Sequence, residues 1–426
     1  MKQEGYRHII VLVSENNFIS SFESESSMKT IERPLYLDRL KGLRGTPDIK
    51  VITGVRRSGK SELMRAFVSY LEEIDPQGNI MYVDLMDMEY ESLKEYHALY
   101  DYFTSGSKEN VNNYILIDEV QLCPDFENAV NSLYNKKIYD IYITGSNAFM
   151  LSSDLATLFT GRYIDVHVLP FSFSEYIDYK QIKDIDEAFD AYVLDGGMAG
   201  SYLYDSERDR MNYISGIFDT IITRDLKKKY NLSDDMALLK TSDFMLDNIS
   251  NLTSVNKISD MLTANKTPTN HVTIGNYVNY LCKAFLFYKV QRYDIKGKEI
   301  LKTIEKYYAV DSGFRCARLG RRNMDYGRQY ENLVALELMR RGYNVYVGKL
   351  YKKEVDFVAI NADEKIYIQV SDDISQPETM ERELAPLLSI KDAYPKMIIA
   401  RTKHPAVDRE GVKILDIARW LSDSQN

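Results

Sequence analysis

Residues 54–67 read "GVRRSGKSELMRAF". Two glycines, a lysine and a serine stand at the spacing G-x-x-x-x-G-K-S, filled by Gly54, Gly59, Lys60 and Ser61. The run before it, "KVIT" at 50–53, has the look of a short buried strand, and "KSELMRAFVSYLEEI" after it carries apolar residues at helical spacing. Strand, glycine loop and helix are the context in which this pattern binds phosphate. Glycines let backbone N–H groups curl around an anion, and the unpaired N–H groups and dipole of the following helix favour negative charge. Lys60 is expected to reach the β- and γ-phosphates of ATP and Ser61 to offer its hydroxyl to Mg2+. Gly54, Arg57, Ser58, Gly59 and Glu62 are expected to complete the nucleotide contacts. Arg56 and Arg57 put two cations inside the loop, where the favoured reading is solvated charge and the alternative is an acidic partner or a neighbouring phosphate.

A phosphate loop needs an acid at the end of a second buried strand. "NYILIDEV" at 113–120 supplies one, because its apolar residues run without alternation into Asp118 and Glu119. Asp118 is expected to hold Mg2+ through its water shell, and Glu119 to act as the base that orients an attacking water. A third strand, "YDIYITGSNA" at 139–148, ends in Thr144, Ser146 and Asn147, any of which can sense a γ-phosphate or simply make a turn.

Composition bounds what else is present. The 426 residues, 45% hydrophobic, suggest two to four domains with substantial cores. A net charge of −9 and a pI near 5.3 exclude a uniformly basic nucleic-acid coat. Three scattered cysteines (Cys123, Cys282, Cys316) and five scattered histidines argue against a zinc site or a disulfide frame and fit a reducing cytoplasm. No apolar run approaches the length that spans a bilayer. Residues 1–27, polar and Ser/Glu-rich toward their end, read as a loose tail or as sequence ahead of a start at Met28.

The segments "GVRRSGKS", "ILIDEV", "ITGSNA" and "LATLFTGRYIDVHVLPFSFSEY" come in the order and spacing of AAA+ ATPases. They most resemble the bacterial and archaeal P-loop ATPases that carry a C-terminal domain of unknown function. The resemblance implies an α/β fold with a parallel-sheet ATPase core over residues 28–170 and a helical lid over 171–245, broken at Gly196-Gly197. It also implies an arginine finger acting on a neighbouring subunit's nucleotide, carried over to Arg162 in "TGRY", and hence a homo-oligomer.

Beyond the lid, "TSVNKISDML" and "VTIGNYVNYLCKAF" followed by two strands around Gly297 have the pattern of a winged helix-turn-helix, placed at 246–310, with a recognition helix beginning near Thr273. Residues 273–353 hold 17 Lys and Arg against 7 Asp and Glu, a local +10. With interleaved tyrosines and phenylalanines this suits double-stranded DNA. A basic face docked on the acidic ATPase half explains the same count. Residues 311–426 resemble a restriction-endonuclease-like fold around Glu331, Asp356 and the strand "IYIQV". Gln369 stands where a second metal carboxylate belongs and Ser371 where a lysine belongs, so the domain reads as an inactive relative, with Lys353 or Lys365 as stand-ins if it cuts. The expected function is Mg2+-dependent ATP hydrolysis that repositions the C-terminal module on DNA. The rivals are an ATP-gated nuclease and a slow nucleotide switch that regulates a protein partner.

Overall fold

The structure, a computed structural model, describes residues 32–145, 157–232, 236–265, 267 and 269–423, with backbone alone at 302 and 303. The expectations for residues 1–27, Ser146 and Asn147 fall outside the described residues. Five strands, β1 (Ile49–Thr53), β2 (Asn79–Asp84), β3 (Asn113–Asp118), β4 (Tyr139–Thr144) and β5 (Tyr163–His167), form a sheet in the order β2-β3-β4-β1-β5. Every pairing in it is parallel. β1 and β3 are buried at every residue, the state of central strands covered on both faces.

Helix α1 (Pro34–Leu43) and helix α2 (Lys60–Ile74) cover one face. Leu63, Met64, Phe67 and Leu71 recur along one side of α2 and pack with Tyr36, Leu37 and Leu40 against Ile52, Leu116 and Tyr142. Helices α3 (Tyr96–Gly106) and α4 (Phe126–Asn135) cover the other face with Leu99, Phe103, Val130 and Leu133. Each such side chain stabilises the layer by about 1.5–3 kcal/mol through burial.

A helical segment follows: α5 (Phe173–Lys180), α6 (Ile185–Asp195), α7 (Glu207–Thr220, continued through Ile221–Leu226 and Lys227–Tyr230) and α8 (Met236–Asp247). Gly196-Gly197 ends α6, as the sequence suggests, and a short 3-10 turn spans Ala199–Leu203. Next come α9 (Val255–Ala264), α10 (His271–Lys283) and the hairpin β6 (Phe287–Asp294) with β7 (Glu299–Ala309). α10 begins before Thr273 because the Asn270 side chain accepts the Thr273 N–H and sets the first turn earlier.

The remainder contains α11 (Ser312–Leu319), α12 (Tyr326–Arg340), β8 (Asn344–Leu350), β9 (Lys353–Ile360), β10 (Lys365–Ser371), α13 (Pro377–Leu388), β11 (Lys396–Ala400), β12 (Val407–Arg409), β13 (Val412–Asp416) and α14 (Ile417–Ser422). Its sheet runs β12-β13-β11-β10-β9-β8-β6-β7. The β6–β7 hairpin joins it through parallel pairing of β6 with β8, so one sheet runs across position 310. No helix among the described residues is long and apolar enough to cross a membrane.

Candidate phosphate-binding site

The loop between β1 and α2 sits at the C-terminal end of the central strand. Gly54 has φ +143°, and a Cβ there would lie 2.2 Å from the Val168 carbonyl oxygen, so the chain passes β5 only as glycine. Gly59, the N-cap of α2, has φ +93° and turns the loop into the helix. The Lys60 side chain is buried and folds back on its own loop, donating to the carbonyls of Gly54 (3.1 Å) and Val55 (3.0 Å). Burial pushes its pKa down to about 8, against the pull of Glu119 and Asp118. The buried Ser58 hydroxyl has no hydrogen-bond partner among the described residues.

Asp118 is 1% exposed. Its Oδ1 accepts from the Thr144 hydroxyl and from the Glu119 N–H (3.1 Å), while Oδ2 faces the Tyr82 hydroxyl at 3.5 Å. Thr144 therefore orients the acid from the adjacent strand. Glu119 adopts the left-handed conformation, φ +55°, and its carboxylate meets the Gln121 amide. A non-glycine residue in that region is the kind of local strain found at functional positions.

The expectation that both loop arginines are solvated is corrected for Arg56. Its guanidinium pairs with both carboxylate oxygens of Asp225, in the continuation of α7, at 3.2 Å each. An acid within the chain is the partner, and the pairing ties the loop to the helical segment. Val55 adds an apolar tie, packing in a cluster with Ile217, Phe218 and Ile221. Arg57 is exposed, with φ +66°.

Arg162 lies at the opposite end of the sheet. Its carbonyl accepts the Ile49 N–H at the start of β1, whereas the loop follows Thr53 at the end. Five residues of strand separate the two, about 16 Å at roughly 3.3 Å per residue. The side chain is exposed, faces Asn135 Oδ1 at 3.4 Å and lies over the Tyr134 ring. It is not brought to the loop of its own chain.

Two contacts escaped the sequence. Arg33, buried, donates to Glu175 and to the carbonyls of Ser58, Leu169 and Pro170. Below the loop, Thr53 Oγ1 donates to Asp165 Oδ1 (2.6 Å), so the 2.9 Å contact to His167 Nδ1 requires the histidine to donate. His167 Nε2 then accepts from the Tyr288 hydroxyl of β6 at 2.6 Å. Burial pushes the His167 pKa down to about 4, which keeps the ring neutral as this chain of bonds demands. The residue directly before Gly54 is thus wired to the C-terminal hairpin.

Residues 46–177 match the family described as an AAA domain, and residues 186–325 match a domain of unknown function. An uncharacterized protein of Haemophilus influenzae is 38% identical over 406 residues, covering 93% of this chain and 99% of that one. The chain belongs to that protein's family. An uncharacterized protein of Methanocaldococcus jannaschii is 26% identical over 424 residues, covering 95% of this chain and 89% of its own. Among solved structures, the Walker-type ATPase of Pyrococcus abyssi is similar at a TM-score of 0.46 and 16% identity, over 68% of this chain and 95% of that one. The AAA domain match coincides with the parallel sheet and the glycine loop, and the first part of this protein has the parallel-sheet fold of a P-loop core.

The second cluster of charge lies in the other sheet, beside a cavity of about 600 Å3. Glu331 of α12 and Asp356 of β9 come together as expected, but the lysine among them is neither Lys353 nor Lys365. Lys353 donates to Ala385 O and Ser389 Oγ, and Lys365 lies against the rings of Tyr293, Tyr367 and Tyr394. Lys306 of β7 fills the position instead, 2.8 Å from Glu331, 2.8 Å from Glu354 and 3.8 Å from Asp356. Tyr308 donates to the same Glu331 oxygen at 2.7 Å. Burial and the neighbouring Glu331 push Asp356 up to about 8. Gln369 accepts the Asp356 N–H and donates to Glu383, both at 2.8 Å, and Ser371 donates to Asp373 O.

Much of the basic excess is spent inside the molecule. Arg315 pairs with Asp247, Arg318 with Asp219 and Asp243, and Arg321 with Glu207, all acids that precede residue 273. Arg340 and Arg341 share Glu337. The exposed residues of α10 include His271, Val272, Asn276 and Asn279 and no lysine or arginine. Exposed lysines gather instead at the β6–β7 turn (Lys296, Lys298) and the β8–β9 turn (Lys352), where Lys296 lies over the ring of exposed Tyr351.

Proposed function

We propose that this protein binds and hydrolyses ATP with Mg2+ and that the cycle shifts its C-terminal helices, hairpin and nuclease-like sheet. The observation that carries the reading is the meeting of Lys60, two loop glycines and the Asp118-Glu119 pair at one end of a parallel sheet. Lys60 and the first N–H groups of α2 would hold the phosphates. A carboxylate and a hydroxyl are hard oxygen donors that suit Mg2+, and Asp118, tied by Thr144 through one oxygen only, fits that task with Ser61. The ion, when bound, neutralises charge on the phosphate oxygens. Glu119 orients water, and Arg162 completes a neighbouring copy's site, which makes the active form a homo-oligomer. Helices α9 and α10 with the β6–β7 hairpin would form the winged helix, and the last sheet a nuclease-like fold whose cutting residues are replaced. Double-stranded DNA is the proposed partner, met by the lysines at the two turns rather than by α10. The internal ion pairs favour a second reading, in which the basic segment serves docking and the partner is a protein.

The test is ATP turnover against protein concentration, with and without duplex DNA. Lys60→Ala is expected to abolish nucleotide binding, while Glu119→Gln binds ATP normally and stalls hydrolysis at least 100-fold, on the order that a catalytic base contributes. Normal turnover in Glu119→Gln would remove the base assignment. A Mn2+ cleavage assay with Asp356→Ala as control decides against the nuclease reading if neither protein cuts.

A further inference from the structure

Arg33 is 5% exposed and engages four acceptor groups. Its Nε and Nη2 grip the two Glu175 oxygens at 2.8 and 2.9 Å, Nη1 donates to Ser58 O at 2.8 Å, and Nη2 also reaches Leu169 O at 2.9 Å and Pro170 O at 3.5 Å. Tyr36 and Phe171 lie against its guanidinium at 4.6 and 5.1 Å. The fork thus joins three places far apart in sequence: the start of α1, the middle of the phosphate loop, and the turn from β5 into α5. Glu175 is itself fixed, because it forms a capping box with Ser172 at the head of α5.

The bond to Ser58 O bears on phosphate binding. In a trans peptide the C=O and the following N–H point in opposite directions, and the unit is planar. Holding the Ser58 carbonyl toward Arg33 therefore aims the Gly59 N–H away from it. The Cβ position of Gly59 faces Arg33 Nη1 at 3.6 Å, which marks the guanidinium side as the outer flank of the loop. Lys60 Nζ lies instead on the Gly54 and Val55 carbonyls at the start of the loop. Glycine at φ +93° has little backbone preference to hold this peptide, so an external anchor decides which way it faces.

We propose that Arg33 is a positioning residue for nucleotide binding: by anchoring the Ser58 carbonyl it fixes the Gly59 N–H toward the phosphates. This rests on the loop being the nucleotide site. A lysine has charge without a planar fork and cannot span Glu175 and Ser58 O together. The role therefore differs from simple neutralisation of a buried glutamate.

The experiment measures ADP affinity by calorimetry, steady-state ATP kinetics and thermal melting on the full chain. The variants are Arg33→Lys and the neutral pair Arg33→Met with Glu175→Gln, which leaves no unpaired buried charge. The expected result is a Kd for ADP and a KM for ATP raised about tenfold in both, with kcat at saturating ATP within twofold of wild type and melting still cooperative. The 31P signal of the bound ADP β-phosphate is expected to shift in both variants. Wild-type ADP affinity in the folded neutral pair, full restoration by Arg33→Lys, or loss of kcat at unchanged KM overturns the proposal. Loss of cooperative melting in both variants also overturns it, because the arginine then holds the fold and not the loop. Failure of the wild type to bind ADP breaks the nucleotide reading itself, an outcome distinct from these.

Discussion

The phosphate loop and the carboxylate cluster of the C-terminal sheet each bury a lysine, Lys60 at 4% and Lys306 at 3% exposure, and they leave it in opposite states. Lys60 rests on two carbonyls of its own loop with its pKa pushed down by burial, beside a left-handed Glu119 and a Ser58 hydroxyl that has no hydrogen-bond partner among the described residues. Lys306 lies among Glu331, Glu354 and Asp356, and although burial alone would lower its pKa, those carboxylates hold it above the ordinary value. In the proposed reading, an anion entering the first site meets a buried lysine held only by carbonyls. The second site already contains its counter-ion, tethered to a strand. Residues that resemble a catalytic cluster in sequence are used there to join a hairpin to a helix.

The largest expected effect concerns the proposed arginine finger. If a neighbouring copy supplies Arg162 to the loop site, Arg162→Ala should lower turnover by on the order of 1,000-fold while ATP affinity stays near wild type. Mixing it with Lys60→Ala protein should restore part of the rate, read as steady-state phosphate release. No recovery in demonstrably mixed assemblies would confine the comparison to single subunits.

Lys306→Met should show that the cluster is a joint. Removing one member of a buried ion pair costs about 3–5 kcal/mol because the acids remain uncompensated. Denaturant melts at pH 5 and pH 8 check this, since protonation of the freed carboxylates should shrink the deficit at the lower pH. A deficit below about 1 kcal/mol at pH 8 would equate this lysine with a surface one.

The smallest effect sharpens the electrostatics of the loop. Burial pushes the Lys60 pKa down to about 8 in the free protein, from 10.5 for an unburied lysine. Phosphate binding raises that value, so ADP binding should take up a proton above pH 8 and weaken by up to about tenfold per pH unit there. Free-protein stability should run the other way. The lysine is charged in both states below about 8, and the folded form gains as pH climbs toward 10.5, where the unfolded chain still holds its proton. Calorimetry in buffers of different ionisation enthalpy reads the proton count.

The glycine loop between β1 and α2 was legible because its geometry is contiguous. Backbone N–H groups, two glycines and a helix start act within eight residues, and an apolar run ending in Asp118-Glu119 reads as a central strand without further context. The order of helices and strands after residue 253 was legible for the same reason, since periodicity and turns are local. Pairing between distant residues was not. Nothing local tells Arg33 to reach Glu175, 142 residues away, or sends Lys306 rather than Lys353 or Lys365 into the cluster. The basic count from 273 to 353 suits a surface for nucleic acid and an internal docking face alike, and only the fold shows Arg315, Arg318 and Arg321 meeting acids in the helical segment. Charge summed along a chain carries no information on which side chains face each other. By itself, then, the sequence determined where an anion can be held, through backbone geometry; only the tertiary structure decided which buried charges stay open to a ligand and which are closed by an internal partner, because that depends on long-range packing.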